Sequence, residues 1–161
     1  MQGNIIEKNE LLSIIPHKGK MVLLNRITAY DLENQTIEAE YDITKECIFY
    51  DPQIEGVPTW AGFEFIAQSI AAISGIREKS KNKPPRLGFV LGLSQVFINT
   101  PYFKLGSIVK IKTKEIENEY PIMYFTGELF VNDQKIFSGR LTVMEIDDEQ
   151  KQKFTETLKN E

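Results

Sequence analysis

The sequence predicts an α+β fold in which an antiparallel sheet curls around one long buried helix. The helix lies within residues 58–78 (PTWAGFEFIAQSIAAISGIRE), which are apolar on nearly every face from Ala61 to Ile76, as is typical of a helix enclosed by protein. Six segments with strand patterns accompany it, four of them in succession after the helix. A single sheet covers such a helix only by curling around it. We expect a second copy of the chain to bury any face left bare, and hence a dimer.

The length and charge of the chain limit the classes of protein to consider. A chain of 161 residues has the size of one ordinary domain. We predict a single domain over residues 1–161, with a core at about 10–146 and a tail or short surface helix at 147–161. The net charge of −4 argues against nucleic acid as a general partner.

Neither a membrane span nor a signal peptide is expected. The central helix runs for only about 16 residues where about 20 are needed to cross a bilayer, and it carries Glu64 and Gln68. The N-terminal segment MQGNIIEKNELL lacks the basic start and apolar run of a signal peptide. A cytoplasmic location is therefore expected.

The chain contains one cysteine, Cys47, and one histidine, His17. A single cysteine excludes a disulfide framework within the chain and a thiolate metal site. A single histidine excludes a site in which one chain supplies several imidazoles to a metal. We expect neither a metal nor another cofactor.

Before the central helix, the sequence predicts a short helix and two strands. Residues 7–14 (EKNELLSI) favour a helix that ends before Pro16, because the residue before a proline is disfavoured in the α region. Residues 21–30 (MVLLNRITAY) favour a strand by their apolar and β-branched content. A turn at 32–35 leads to residues 36–43 (TIEAEYDI), whose alternation is typical of a strand with one wet face.

Irregular segments flank the central helix. Residues 45–57 (KECIFYDPQIEGV) contain the breakers Pro52 and Gly56 and deliver the chain to the helix. Thr59 is the predicted N-cap, since a threonine hydroxyl can accept a bond from a first-turn N–H group. After the helix, residues 79–86 (KSKNKPPR) form a polar, basic connector.

The remainder of the chain is dominated by strand patterns. Gly92 within the first of them is predicted to mark a bend or bulge, and Asn132-Asp133 predicts a hairpin turn. The predicted strands are residues 86–100, 108–117, 123–131 and 135–146, with a turn at 100–107 between the first two.

Glu64 and Gln68 stand out in the central helix because they are four residues apart and therefore share one face. Two interpretations of Glu64 are open. It is either a first-turn acid favoured by the helix dipole with its carboxylate in water, or a general acid whose proton affinity is raised by burial. Small residues surround it along the helix, so a ligand or another backbone can approach closely.

Three stretches resemble bacterial 3-hydroxyacyl-acyl-carrier-protein dehydratases, which have the hot-dog fold. Residues 14–27 (IIPHKGKMVLLNRI) are similar to the opening of these proteins, where Pro-His precedes an apolar strand, and residues 62–72 (GFEFIAQSIAA) are similar to their central helix. Residues 89–109 (FVLGLSQVFINTPYFKLGSIV) resemble a later strand and turn. The resemblance covers about residues 10–146 and is closest to the dehydratase-like subgroup of aryl-polyene pigment clusters.

One departure from these dehydratases concerns the catalytic base. Their histidine lies in a Gly-His-Phe-Pro segment shortly before the helix, and the corresponding residues 48–58 (IFYDPQIEGVP) contain no histidine. Three alternatives follow: His17 is the base, a partner subunit supplies it, or the chain does not catalyse. His17 has a plainer interpretation as a turn residue that hydrogen-bonds nearby backbone.

The resemblance implies roles for residues at the start of the helix. Dehydration needs a base for the C2 proton, an acid for the departing hydroxyl and donors for the thioester oxygen. The resemblance implies Glu64 as the acid. An imidazole suits the base, for which His17 is the candidate within the chain. The backbone N–H groups of Gly62 and Phe63 are the candidate donors, and Gln68, one turn from Glu64, is placed to orient the carboxyl group. Trp60 is interpreted as a packing residue at the helix start and is included among the candidate substrate-binding positions.

The implied activity is dehydration of carrier-bound 3-hydroxyacyl thioesters to 2-enoyl thioesters in fatty-acid or polyene biosynthesis. The first alternative is a non-catalytic or half-catalytic acyl-binding subunit of a heteromeric dehydratase. The second is a hot-dog thioesterase, in which the carboxylate activates water. Fold analogy alone does not decide between them.

The expected partners are an acyl carrier protein and either a second copy of the chain or a related hot-dog subunit. The connector region at 77–86 is basic in an acidic protein. It is either a solvated linker or a docking surface for an acidic carrier protein, with Lys18 and Lys20 as helpers.

Overall fold

The computed structural model describes residues 5–160, so predictions for residues 1–4 and for Glu161 lie outside the described part. The elements are β1 (Ile6–Glu7), α1 (Lys8–Leu11), β2 (Arg26–Asp31), β3 (Thr36–Asp42), β4 (Gly56–Pro58), α2 (Gly62–Ser80), β5 (Leu87–Ile98), β6 (Tyr102–Lys104), β7 (Ile108–Glu119), β8 (Ile122–Val131), β9 (Gln134–Ile146) and α3 (Asp148–Lys159). Within the described residues, the long helix α2 lies between β2–β4 and β5–β9, and two short 3₁₀ turns occupy residues Gly19–Met21 and Thr59–Ala61.

An antiparallel sheet of seven strands packs around the long helix α2, which confirms the predicted α+β architecture. The strand order is β1-β2-β3-β7-β8-β9-β5, so β5 lies at one edge. Strands β4 and β6 form a separate two-stranded sheet next to the start of α2. The fully buried core includes Phe65, Ile66, Phe125 and Leu129, from both the helix and the sheet.

The start of α2 differs from its prediction. Thr59 is not the N-cap: it belongs to the 3₁₀ turn that precedes the helix, and Ala61 occupies the cap position with no side-chain bond. The Thr59 hydroxyl donates instead to the carbonyl oxygen of Thr100. The hydroxyl therefore joins the helix start to the segment after β5.

The strand predicted at residues 21–30 is correct only from Arg26 onward. Val22, Leu23 and Leu24 are buried but pair with no strand, because they pack against α2 rather than in a ladder. The irregular segment 45–57 ends in β4, and the predicted turn at 100–107 contains β6. The helix predicted at 7–14 is only four residues long, Lys8–Leu11.

The bulge and hairpin predictions are confirmed. The register of β5 against β9 shifts between Val90 and Gly92. Asn132 and Asp133 form the turn between β8 and β9 with φ values of 49° and 63°, which suits a tight hairpin turn. The C-terminal segment forms helix α3, whose N-terminus carries a capping box between Asp147 and Gln150.

Residues 14–23, the His17 segment, lie against α2 without being part of the sheet. Gly75 of α2 permits this approach, because a Cβ atom at that position would overlap the carbonyl oxygen of Ile14. Further along, the Gln68 side chain accepts a bond from the Leu23 N–H at 2.8 Å and donates to the Met21 carbonyl oxygen at 2.6 Å. The segment is thus fixed at both ends.

Two charged side chains secure the chain after this segment. Lys8 donates through Nζ to the Val22 carbonyl oxygen at 2.9 Å, and burial lowers the pKa of its ammonium group. Arg26 bonds to Asp42 at 2.8 Å and to Glu40 at 2.6 Å, and the bond to Asp42 is the main cause of its raised pKa. The Lys8 bond attaches the end of the His17 segment to α1, and the Arg26 bonds attach the start of β2 to β3.

The first prediction concerns Gly75→Ala. Alanine favours a helix by about 1 kcal/mol over glycine, but here its methyl group would push on rigid backbone. We expect the free energy of unfolding to fall by about 1–3 kcal/mol, as in other overpacked interiors. Denaturant titration followed by circular dichroism measures it. Gly92→Ala is the matched control, since a Cβ there meets nothing within 4 Å. A Gly75→Ala protein as stable as the wild type would contradict the close approach of Ile14 to Gly75.

The second prediction concerns Gln68→Leu, which keeps the side-chain volume and removes both hydrogen bonds. The buried Leu23 N–H loses its partner, and we expect a loss of about 1–3 kcal/mol in the free energy of unfolding. Hydrogen exchange at residues 21–23 should accelerate more than the global change accounts for. Gln152→Leu on the exposed helix α3 is the control. Unchanged exchange at residues 21–23 would show that Gln68 does not hold the segment.

Candidate active site

His17 and Glu64 lie next to each other within one chain. The Nε2 atom of His17 is 3.8 Å from Oε1 of Glu64, and their side chains are 27% and 23% exposed. Glu64 is the third residue of α2, while His17 follows Pro16 in the segment that Gln68 and Gly75 hold against the helix. Both groups are partly shielded from water but accessible to a ligand.

Gln68 connects the two candidate residues. Its side chain is fully buried, and besides its two backbone bonds its Nε2 atom lies 3.4 Å from Oε1 of Glu64. The same amide group therefore orients the carboxyl group and fixes the backbone four to six residues after His17. Among residues 5–160, the His17 Nδ1 atom is buried without a hydrogen-bond partner.

A cavity of about 210 Å³ opens beside the pair. Its walls are mostly small or apolar, from one face of α2 and from the start of β5. A polar group of three residues, Ser74, Arg86 and Glu145, lines it as well. The remaining lining residues are Pro16, His17, Glu64, Ala67, Ile70, Ala71, Gly88, Phe89, Val90 and Val143.

The other candidate residues lie at the start of α2, outside the lining of this cavity. The Gly62 N–H donates to the Thr59 carbonyl oxygen in the 3₁₀ turn, so this N–H already has a partner. Phe63 is half-buried and packs against the core. Trp60 is 57% exposed and contacts Phe49 edge to face, with ring centroids 5.8 Å apart. The structure thus brings together His17, Glu64 and Gln68, and leaves the other three apart from the cavity.

Sequence reasoning missed the polar group at the cavity. Arg86 was interpreted only as part of a basic connector, and Glu145 was not singled out. A signal for Glu145 was present: it continues the inward-facing alternation of Leu141 and Val143 on β9, where a charged residue is unusual. No comparable local signal identified Arg86.

Within the described residues 5–160, no helix has the length and apolar character required to cross a membrane.

Comparison with solved structures identifies related folds. The chain resembles a chain of the dehydratase heterocomplex ApeI:P from Xenorhabdus doucetiae, with a TM-score of 0.81 and 21% identity over 90% of this chain and 96% of that one. It also resembles a putative thioesterase from Ralstonia eutropha, with a TM-score of 0.57 and 17% identity over 73% of this chain and 82% of that one. At these identities the likeness concerns the hot-dog fold alone.

Sequence comparison points to dehydratases. A FabZ 3-hydroxyacyl-[acyl-carrier-protein] dehydratase from Chlamydia caviae is 30% identical over 98 residues, 58% of this chain and 62% of that protein. The matched region therefore spans about three fifths of that relative's length. The Chlamydia trachomatis FabZ is 23% identical over 142 residues, 83% of this chain and 88% of that protein. Residues 9–156 match the sequence profile of the ApeP-like family, described as ApeP dehydratase, and the chain belongs to this family of hot-dog proteins.

Proposed function

We propose that this protein dehydrates carrier-bound 3-hydroxyacyl thioesters to 2-enoyl thioesters, with His17 as the base and Glu64 as the acid. The observation that carries the proposal is the 3.8 Å separation of His17 Nε2 and Glu64 Oε1 beside a largely apolar cavity. Membership of the ApeP-like dehydratase family and similarity to FabZ proteins support it.

The chemistry requires one proton to leave the substrate and one to enter it. A neutral His17 imidazole removes the proton from C2, and the electron pair forms the C2–C3 double bond as the C3–O bond breaks. A protonated Glu64 donates to the departing hydroxyl, which leaves as water. The resulting imidazolium and carboxylate lie within ion-pair distance, so a proton can return from His17 to Glu64 and restore both groups.

The position of the base distinguishes this arrangement from that of the well-known dehydratases. Residues 48–58 supply no histidine, but the His17 segment places an imidazole beside Glu64 in the same chain. A base from a partner subunit is then unnecessary. The same geometry argues against a purely acyl-binding subunit, because such a subunit would not need the pair.

The cavity is suited to an acyl chain. Ala67 and Ala71 leave room along α2, one turn apart on the face that carries Glu64. Ile70, Phe89 and Val143 supply apolar walls, and burial of a hydrocarbon chain against them is favourable. A thioester whose reacting carbons lie between His17 and Glu64 can extend its tail along this groove.

A second subunit is proposed to pair with β5. This edge strand is long and exposes Val90, Leu91, Leu93, Phe97 and Ile98, each more than 40% accessible in the single chain. An open, apolar strand edge of this kind favours pairing with another strand. The partner is a second copy of the chain or a related hot-dog subunit. The solved Xenorhabdus doucetiae protein is named a heterocomplex, and this name supports a related subunit as the partner.

An acidic acyl carrier protein is the proposed donor of the substrate. Lys18 and Lys20 are exposed directly after His17. Lys79 lies in the last turn of α2, and Lys81 and Lys83 follow the helix. Residues 64 and 79 are 15 positions apart, which corresponds to about 22 Å along a helix. Lys18 and Lys20 are therefore the nearer anchors, and the connector lysines are the more distant ones.

The third prediction tests the catalytic pair. Glu64→Gln and His17→Ala should each lower kcat for enoyl thioester formation by about a hundred- to ten-thousand-fold, because each removes one proton-transfer group. Product analysis by mass spectrometry and circular dichroism of each variant separate chemistry from folding. Glu38→Gln, on the sheet strand β3, is the matched control and should retain wild-type activity.

A mixing experiment tests whether the pair belongs to one chain. A refolded mixture of His17→Ala and Glu64→Gln subunits should stay inactive, since no subunit then carries both groups. Recovery of activity would assign the base to the partner subunit. The acyl-binding alternative would be favoured if the wild-type chain is inactive alone and gains activity only with a related hot-dog subunit. The thioesterase alternative would be favoured if the products contain free acid in place of enoyl thioester.

The fourth prediction concerns carrier docking. Reversing Lys18 and Lys20 to Glu should lower kcat/KM for carrier-bound substrate by about tenfold or more, because complementary charge speeds encounter. Reversing Lys79, Lys81 and Lys83 should slow the same reaction to a smaller degree. Short pantetheine thioesters should be turned over normally by both variants. Equal loss with carrier-bound and short substrates would refute docking at these lysines.

A further inference from the structure

The cavity of about 210 Å³ beside His17 and Glu64, here called the acyl groove, has two chemically different ends. His17 and Glu64 lie at one end, and Ser74, Arg86 and Glu145 line the other. Glu64 and Ser74 are ten residues apart on α2, so the groove follows about 15 Å of the helix. The residues that line the groove between these two ends are small or apolar. A hydrocarbon tail that enters at the reactive pair therefore approaches a charged end.

Arg86 and Glu145 at this end belong to a group of four charged side chains, the arginine–glutamate cluster of Arg77, Glu78, Arg86 and Glu145. Glu78 and Glu145 are only 2% and 3% exposed. Arg77 contacts Glu145 at 2.8 Å and Glu78 at 3.3 Å, while Arg86 contacts Glu78 at 3.2 Å and Glu145 at 3.8 Å. Each carboxylate is thus bound by both arginines. Separating a buried charge from its partners is costly, so the cluster resists entry of an apolar group.

Arg86 also lines a second cavity on the far side of the cluster. This outer cavity has a volume of about 320 Å³ and is formed with the connector and the start of α3. Its other lining residues are Glu78, Lys83, Pro84, Pro85, Asp147, Asp148 and Glu149. The Arg86 side chain therefore lies between the acyl groove and the outer cavity.

We infer that Arg86 is a specificity-determining residue that closes the far end of the acyl groove and limits the length of the acyl chain. The inference rests on the proposed function for its substrate class. A tail long enough to reach the cluster would have to displace the Arg86 guanidinium from Glu78 and Glu145 and leave charged groups against hydrocarbon. Shorter tails end among Ala71, Ile70 and Val143 and avoid this cost.

The cluster permits a clean test at Arg86. Arg77 contacts both glutamates, so their charges keep a partner when Arg86 is shortened. Arg86→Ala should then join the groove to the outer cavity without leaving a buried carboxylate alone. Glu149→Ala is the matched control, because Glu149 lines the outer cavity but not the groove.

The experiment compares 3-hydroxybutyryl, 3-hydroxyoctanoyl and 3-hydroxydodecanoyl pantetheine thioesters with the wild type and both variants. Arg86→Ala should raise the ratio of kcat/KM for the dodecanoyl over the octanoyl substrate by about tenfold or more, the scale on which pocket size discriminates chain length. The butyryl rate should not change, and Glu149→Ala should match the wild type. An unchanged chain-length profile in Arg86→Ala would overturn the inference.

Binding of the corresponding saturated acyl pantetheines separates this inference from the proposed reaction. Tighter binding of the dodecanoyl compound to Arg86→Ala, in a protein that dehydrates none of the substrates, would retain the chain-length limit and overturn the dehydratase proposal.

Should Arg86→Ala fail to fold, Arg86→Met replaces it, with the same shift expected because the end wall loses its charge. Ala71→Leu should act in the opposite direction, weakening octanoyl binding while sparing butyryl; no effect there would also contradict the inference.

Discussion

The enclosure of α2 on nearly every side is the constraint on which the rest of this structure depends. An apolar helix of 19 residues can be covered by one sheet only if the sheet curls, and seven antiparallel strands do so here. The sheet leaves one stripe of the helix for the His17 segment and the groove beside it. Glu64 and Ser74 line the groove, and Gln68 bonds to the His17 segment. These three polar positions of a largely apolar helix therefore coincide with the site.

Close packing gives the site its geometry. Gly75 removes the side chain that would keep Ile14 away from the helix, and Gln68 supplies hydrogen bonds that the unpaired backbone of Met21 and Leu23 would otherwise lack. A segment outside the sheet is thereby held against the helix. This arrangement brings the only imidazole of the chain to the carboxyl group of Glu64, while residues 48–58 before the helix contain no histidine.

The features that were predictable from the sequence depend on local rules. The all-round apolar pattern identified α2, and backbone preferences identified the bulge at Gly92 and the hairpin at Asn132-Asp133. The pairing of Glu64 with Gln68 followed from helical spacing. These predictions rest on local sequence patterns and do not depend on the tertiary contacts between elements.

The features that were not predictable depend on tertiary contacts. Val22 to Leu24 have a strand composition, but α2 and Gln68 replace the ladder that would have made them a strand. Thr59 bonds to Thr100, which is distant in the sequence. The arginine–glutamate cluster requires the register that sets Gly88 opposite Glu145, and periodicity does not reveal that register.

The central claim is that His17 and Glu64 form one catalytic unit within a chain, and nuclear magnetic resonance tests it most directly. His17 is the only histidine, so the ring nitrogen signals of a ¹⁵N-labelled sample belong to it without assignment. At a fixed pH, Glu64→Gln should shift these signals while Glu38→Gln leaves them unchanged, because Glu64 lies beside the ring and Glu38 lies on strand β3. Identical ring signals in the wild type and Glu64→Gln would contradict the account.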